Sequence, residues 1–226
     1  MALQAARLTR IAPSPASLGQ GRYDGLVADP ERPPLGEGAF DLAVSLLALH
    51  QIDDLPGLLI QLRRALRPDG LLIAAIPGGD TLQELRACLF EAESELYGGA
   101  SPRVAPFADA RALGGLLQRT GFALPVVDSD RFIVRYADMF ALMRDLRAFG
   151  QTSALIDRPR RFARRALFLR AAQLYAERYA DPDGRVRATF EFVWLSGWAP
   201  HPSQPQPLAP GSAKMRLEDA VKQKPQ

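Results

Sequence analysis

Two short, almost uncharged runs separated by one amphipathic stretch, all between residues 40 and 78, constrain this chain more than any other feature. The first, "FDLAVSLLALH", opens on Asp41 and closes on His50, one of only two histidines in the chain. It has no polar face at helical spacing, lies between "PPLGEG" and "DDLPG", and is too short for a fully buried helix, so it reads as a buried parallel strand. "DDLPGLLIQLRRALRPDG" then places Leu55, Leu58, Leu59, Leu62 and Leu66 on one face and Arg63, Arg64 and Arg67 off it. That is an amphipathic helix with Asp53 or Asp54 as N-cap and "PDG" as its stop. "LLIAAIPGG" is a second apolar run, ended by glycines. Strand, helix and strand in this order form a right-handed βαβ unit of a parallel sheet.

Composition sets the scale around that unit. A chain of 226 residues with 47% hydrophobic content can bury one sizeable core. The net charge of +3, from 28 basic and 25 acidic residues, is too small to argue for nucleic acid. Only three lysines occur, Lys214, Lys222 and Lys224, so composition breaks near residue 200 and a tail follows. Cys88 is the single cysteine, which rules out an internal disulfide, favours a reducing compartment and reads as a buried apolar residue rather than a reactive thiol. No metal site is expected. "MALQAARLTR" lacks the apolar core of a signal peptide, and no run reaches the ~20 residues of a membrane span. These features together predict a cytoplasmic protein.

The remaining elements follow from local signals. "DTLQELRACLFEAESELYGG" predicts a capped helix ending at Gly98 and Gly99, and "FADARALGGLLQRTGF" a second that stops at Gly121. "FALPVVDSDRFIVRY" predicts a strand kinked at Asp128 to Asp130. Residues 137–149 and 160–180 read as helices. "RVRATFEFVWLSGW" sets Val186, Ala188, Phe190 and Phe192 against Arg187, Thr189 and Glu191, a strand with one polar face. Everything from Pro200 onward, rich in Pro, Gln, Ser and Gly, reads as disordered.

The stretch "ADPERPPLGEGAFDLAVSLLALHQIDDLPGLLIQLRRALRPDGLLIAAIPGGDTLQELR" resembles the second half of a class I S-adenosylmethionine-dependent methyltransferase. More narrowly it resembles the malonyl-carrier methyltransferases of biotin synthesis and the related assembly factors of respiratory complex I. "GGASPRVAPFAD", "LMRDLRAFG" and "GWAPHPSQPQPLAPGSA" are similar to segments of the second group. The resemblance covers residues 24 to 213. It implies an incomplete Rossmann-like α/β sheet with helices on both faces and a helical lid inserted before the last, antiparallel strand. Strands four to seven of that sheet would lie at residues 40–47, 70–76, 122–135 and 187–197. The implied organisation is an N-terminal remnant at 1–23 carrying strand two, a methyltransferase-like domain at 24–199 with its lid at about 137–180, and the tail at 200–226.

Roles follow from the same resemblance. Asp29, followed by Pro30 in a "D-x-E-x-x-P" loop, would accept from the adenine amino group of S-adenosylmethionine, as a carboxylate can. Ser45, Leu46 and His50 stand at and just past the carboxyl end of a strand, where ligands bind in open α/β sheets. His50 reads as a pocket wall rather than a general base, and Asp41, at the other end, as structural. Asp80, Arg144 and Arg147 are candidate substrate or lid contacts; Phe140, Met143, Leu146 and Phe149 recur beside the arginines at helical spacing. No catalytic residue is assigned. The family's Gly-rich turn has no counterpart ahead of residue 24, and its ribose-binding acid would fall at Ala12, which cannot accept those bonds. Either the 226 residues are a shortened reading of a longer gene or the cofactor pocket has decayed, and in both cases they are expected to bind the cofactor weakly. Three functions follow: methyl transfer, assembly of a partner without catalysis, and hydroxylation of a partner's arginine. The partner would be a complex I subunit or an acidic carrier protein, met by Arg158, Arg160, Arg161, Arg164, Arg165 and Arg170, unless those arginines only form a solvated helix face.

Overall fold

The computed structural model describes residues 7–18, 24–152, 155 and 162–205. Its backbone is a four-stranded sheet in the order β3-β4-β6-β5, beside a separate pair β1-β2. β3 (Phe40–Leu46) runs parallel to β4 (Leu66–Pro77), and the helix between them, α2 (Leu55–Ala65), completes the expected βαβ unit. β6 (Val186–Trp198) is antiparallel to both β4 and β5 (Ala123–Tyr136). β1 (Thr9–Ala12) and β2 (Asp24–Val27) pair in parallel around the short helix α1 (Pro15–Leu18).

Each helix starts and stops for a local reason. Asp54 caps α2 by accepting from the Gly57 amide at 2.9 Å, which satisfies one of the free N–H groups of the first turn. Asp109 and Asp138 do the same for α4 (Ala110–Arg119) and α5 (Met139–Ala148). α3 (Gln83–Tyr97) ends at Gly98 with φ near 70°, a left-handed conformation that costs glycine little. Its start has no side-chain cap, contrary to expectation: Leu82 takes a left-handed conformation and its amide bonds Thr189 on β6. α2 also stops before "PDG", because Leu66 has already turned extended to pair with Phe40.

Two cores lie on opposite faces of the sheet. α2 and α4 bury Leu58, Leu59, Leu113 and Leu117 against Leu72, Ala74 and Ile76 of β4 and Val193 and Leu195 of β6. On the other face, α3, α5 and α6 (Arg165–Tyr179) pack Leu85, Cys88, Met139, Leu142, Leu167 and Tyr175 with Val186 and Ala188. β6 therefore serves both cores, with one side chain parity at its start and the other at its end. That corrects the single polar face expected for it: Phe190 and Phe192 are only half buried, and Thr189 is enclosed by the Glu84 carboxylate.

Four further expectations change. β3 is a parallel strand but not a buried one, since Leu42, Val44 and Leu46 are 42, 57 and 60% exposed. Ala43 of β3 packs into the core with α2; the side chains of Leu42, Val44 and Leu46 stay largely exposed, and no strand pairs with the outer edge of β3 among the described residues. The irregularity of β5 falls between Ala123 and Val126, at Leu124 with positive φ, while Asp128 to Asp130 pair regularly with β6. On α5, Met139 and Leu142 are buried and Phe140, Met143 and Leu146 pack partly buried against the same core, while Phe149 alone of the apolar row is exposed. The chain after Pro200 stays packed to Gln204, which is buried and donates to Asp69 at 2.8 Å and to the Ala199 carbonyl at 2.9 Å. The rest of the expected tail, from 206, lies outside the described residues, as do Arg158, Arg160 and Arg161.

Candidate functional site

The carboxyl ends of the parallel strands β3 and β4 open at one end of the sheet, where a ligand meets loops rather than side chains of the core. β3 leaves through Leu47, whose positive φ and amide bond to the Ala75 carbonyl turn the chain away from the sheet. A 3-10 turn, Leu49–Gln51, follows; Leu49 plugs into the core and His50 is half-buried. Ser45 and Leu46 pair with Ala74 and Ala75, Ser45 half-buried and Leu46 exposed.

His50 is held by two contacts. Its Nε2 lies 3.2 Å from Oε1 of Gln151, and its ring meets Phe107 edge-on with centroids 6.2 Å apart. Nδ1 is buried without a hydrogen-bond partner among the described residues. The ring therefore forms a wall that ties the end of β3 to the segment after α5.

Asp29 and Pro30 are exposed in the loop after β2. Asp29 accepts from the Glu31 amide through Oδ1 at 2.9 Å, which leaves its second oxygen without a partner among the described residues. Glu31, which sequence reasoning passed over, fixes this loop: its carboxylate accepts from the Asp53 amide at 2.9 Å and its carbonyl from Gln61 Nε2 at 2.8 Å. The Asp29 loop is thus pinned to the start of α2, close in sequence to His50. A Glu between Pro30 and Arg32 in a loop carries no signal for such a cap, because its acceptor role depends on a segment about twenty residues away.

At the end of β4, a second overlooked carboxylate organises the chain. Glu191 accepts from the Asp80 amide at 2.9 Å, while its backbone bonds Gly78 and Thr81. The Asp80 side chain pairs with Arg131 of β5 rather than with either lid arginine. Arg144 and Arg147 are exposed on α5. Among the described residues no hydrogen bond or ion pair joins them to Asp29, Ser45, His50 or Asp80. Ser45, Leu46 and His50 thus lie together at and just past the carboxyl end of β3, the Asp29 loop is tied to the start of α2, and the two arginines have no hydrogen bond or ion pair with any of them among the described residues. Asp41 stands at the opposite end of β3, paired with Arg67 at 2.7 Å, a structural contact as expected.

Toward a nucleoside cofactor this arrangement is half built. Asp29 offers a free carboxylate oxygen at a pinned loop, and His50 and Leu46 offer walls. At the end of β1 stands Ala12, with no side-chain acceptor, and ahead of Asp29 no described glycine turn opens onto a helix. Among the described residues, the acceptors for the ribose and the methionine end of S-adenosylmethionine are therefore not in place. Among the described residues there is also no cluster of His, Cys, Asp and Glu suited to a metal ion, and no helix long and apolar enough to cross a membrane.

A parallel strand pair extended by two strands that pair antiparallel through β6, with helices on both faces, forms a Rossmann-like fold. The YcgJ protein of Bacillus subtilis shares it, with a TM-score of 0.56 over 86% of this chain and 83% of that one at 10% identity. A family model described as a methyltransferase domain matches residues 1–74. The chain is thus similar to S-adenosylmethionine-dependent methyltransferases of class I, through the family model over its first 74 residues and through curated relatives matched over part of their length. Two groups of curated proteins are similar to it in sequence. It is 42% identical over 197 residues to the arginine-hydroxylase NDUFAF5, mitochondrial, of Danio rerio, covering 87% of this chain and 61% of that one. The Homo sapiens counterpart is 44% identical, over 87% and 57%. The malonyl-[acyl-carrier protein] O-methyltransferase of Xylella fastidiosa is 36% identical over 167 residues, 74% of this chain and 54% of that one. The chain thus spans roughly half to three fifths of the curated relatives it matches.

Proposed function

We propose that this chain serves in the assembly of respiratory complex I as a methyltransferase-family protein that engages a subunit of that complex, and that methyl transfer from S-adenosylmethionine belongs to it only when the cofactor pocket is completed by further residues. The observation that carries this reading is the incomplete set of acceptors: Asp29 in a loop pinned to the start of α2, and Ala12, with no side-chain acceptor, at the end of β1. A carboxylate accepting from adenine contributes about 1 to 3 kcal/mol. The ribose bonds and the backbone cradle for the methionine end are several terms of that size, and each ~1.4 kcal/mol lost weakens binding tenfold. The cytoplasm is the compartment we assign, in keeping with a single, buried cysteine.

Calorimetric titration of the 226-residue polypeptide with S-adenosylmethionine tests the reading. Dissociation in the millimolar range or weaker is expected, with Asp29→Asn weakening any residual binding further. Micromolar affinity in this polypeptide would refute it.

The alternative, a partner-holding protein without catalysis, is favoured by one observation, the uncovered apolar face of β3. It predicts that a complex I subunit is retained equally with and without added S-adenosylmethionine. Retention that depends on the cofactor would exclude it.

A further inference from the structure

A cavity of about 420 Å³ lies between α3 and the segment that follows it, lined by Arg86, Leu89, Phe90, Ser101, Arg103 and Val104 together with the prolines and Phe107 of that segment. Its walls are held in place from within. Glu93, 4% exposed, receives Arg103 through two hydrogen bonds of 2.6 and 3.2 Å and the Ser101 amide at 2.9 Å. This buried pair fixes the segment against α3 and neutralises Arg103. A volume of this size matches a small organic ligand rather than a trapped water.

Arg86 differs from Arg103 in its partners. Its guanidinium donates only to backbone carbonyls: Gly79 at 3.3 Å, Thr81 at 3.1 Å and Ala105 at 3.4 Å. No carboxylate pairs with it among the described residues. A guanidinium has five N–H groups, so two remain, and one of them, on Nε, is buried with no acceptor. A partly buried cation that meets dipoles but no counter-charge, with a buried donor unsatisfied, is a costly arrangement for a structural arginine.

We propose that this cavity binds an organic acid, one carboxylate carried on an aromatic or branched apolar body. The charge argument selects the head: one uncompensated guanidinium matches a monoanion, and its planar fork matches a carboxylate. The wall argument selects the body. Leu89, Phe90, Val104 and Phe107 present apolar surface, and Phe90 is 61% exposed, a large cost for a ring with nothing to cover. The Phe107 ring also meets His50 edge-on, so the cavity adjoins the end of β3, and Asp29 is not among the residues that line it. The proposal is independent of cofactor binding.

Nuclear magnetic resonance titration of the full chain with 3-phenylpropionate, against the neutral 3-phenylpropanamide of the same shape, tests it. Saturable shifts in α3 are expected with the acid, with the amide about tenfold weaker. The variant Phe90→Ala, at an exposed position, should keep the fold and weaken the acid several-fold. Arg86→Gln should make acid and amide equal. A capped Phe-Glu dipeptide in parallel tells whether the acid is free or a side chain of a peptide; binding of either supports the proposal. Equal affinity for acid and amide in the wild-type chain, no saturation by either acid, tighter binding of phenyl phosphate than of the carboxylate, or an unaltered affinity in Phe90→Ala would each overturn it.

Discussion

Asp54 and Glu31 both cap backbone near the start of α2, yet only one of them announces itself. Asp54 stands three residues before the amide it accepts from, the spacing of a helix N-cap, so the pattern names it in advance. Glu31 accepts from Asp53, twenty-two positions on, and nothing local marks it. Replacing Glu31 by Ala should cost about 0.5 kcal/mol in urea unfolding, the low end for one hydrogen bond because this one is exposed, and should loosen the Asp29 loop as seen by amide exchange at Asp53. Cys88 illustrates the reverse case, a residue whose role is legible from its neighbours. It is fully buried, and that burial pushes its thiol up to about 11, against a smaller opposing pull from Arg178. At about pH 8 almost no thiolate forms, so iodoacetamide should fail to alkylate the native protein and should modify it stoichiometrically once unfolded, as read by mass.

Among the elements, α3 and the segment after it depend on the Glu93–Arg103 pair. Burial alone would raise the Glu93 carboxyl, but the Arg103 guanidinium and the Ser101 amide outweigh it and hold the group below its ordinary value of 4.5. A carboxyl depressed in the folded state contributes stability that is complete above its unfolded value and is lost as pH falls through the folded one. Wild type should therefore lose stability more steeply than Glu93→Gln between about pH 5 and about pH 3 in denaturant titrations. Arg103→Ala, which strands the buried carboxylate, should cost about 3 kcal/mol at neutral pH. Strand β6 shows why alternation alone misleads at this scale. A strand that crosses from one core to another changes the parity of its buried residues, from Val186 and Ala188 to Val193 and Leu195, and no periodic template contains that switch.

For the whole molecule, the decisive feature is the outer side of β3. Leu42, Val44 and Leu46 stay largely exposed there, and β1-β2 forms its own pair rather than joining the sheet. An exposed apolar strand with an open edge is a binding surface or an aggregation hazard. Val44→Thr with Leu46→Thr should change folding stability by less than about 1 kcal/mol, since little apolar area is lost from the interior. The same double variant should bind the dye 8-anilinonaphthalene-1-sulfonate less and should sediment with less self-association. Undiminished dye binding would place the exposed apolar surface elsewhere, for instance at Phe132 and Ile133 of β5, 52 and 59% exposed.

Short-range physics accounts for what the sequence determined by itself. The apolar runs at 40–46 and 71–76, the leucine face of α2, the aspartate caps and the glycine stop of α3 each depend on residues within about one or two turns, and the βαβ unit follows from their succession. The resemblance of residues 24 to 213 extended this to the fold. Tertiary structure alone decided which strand is exposed, because burial depends on what packs against a face and not on the residues that compose it. It alone also made Glu31, Glu93 and Glu191 the carboxylates that pin loops to helices and strands, and separated Arg86 from Arg103 as the cation without a counter-charge. Their partners lie from eight to more than a hundred residues away, and a charged side chain acquires its role from the group that folding brings within hydrogen-bond distance of it.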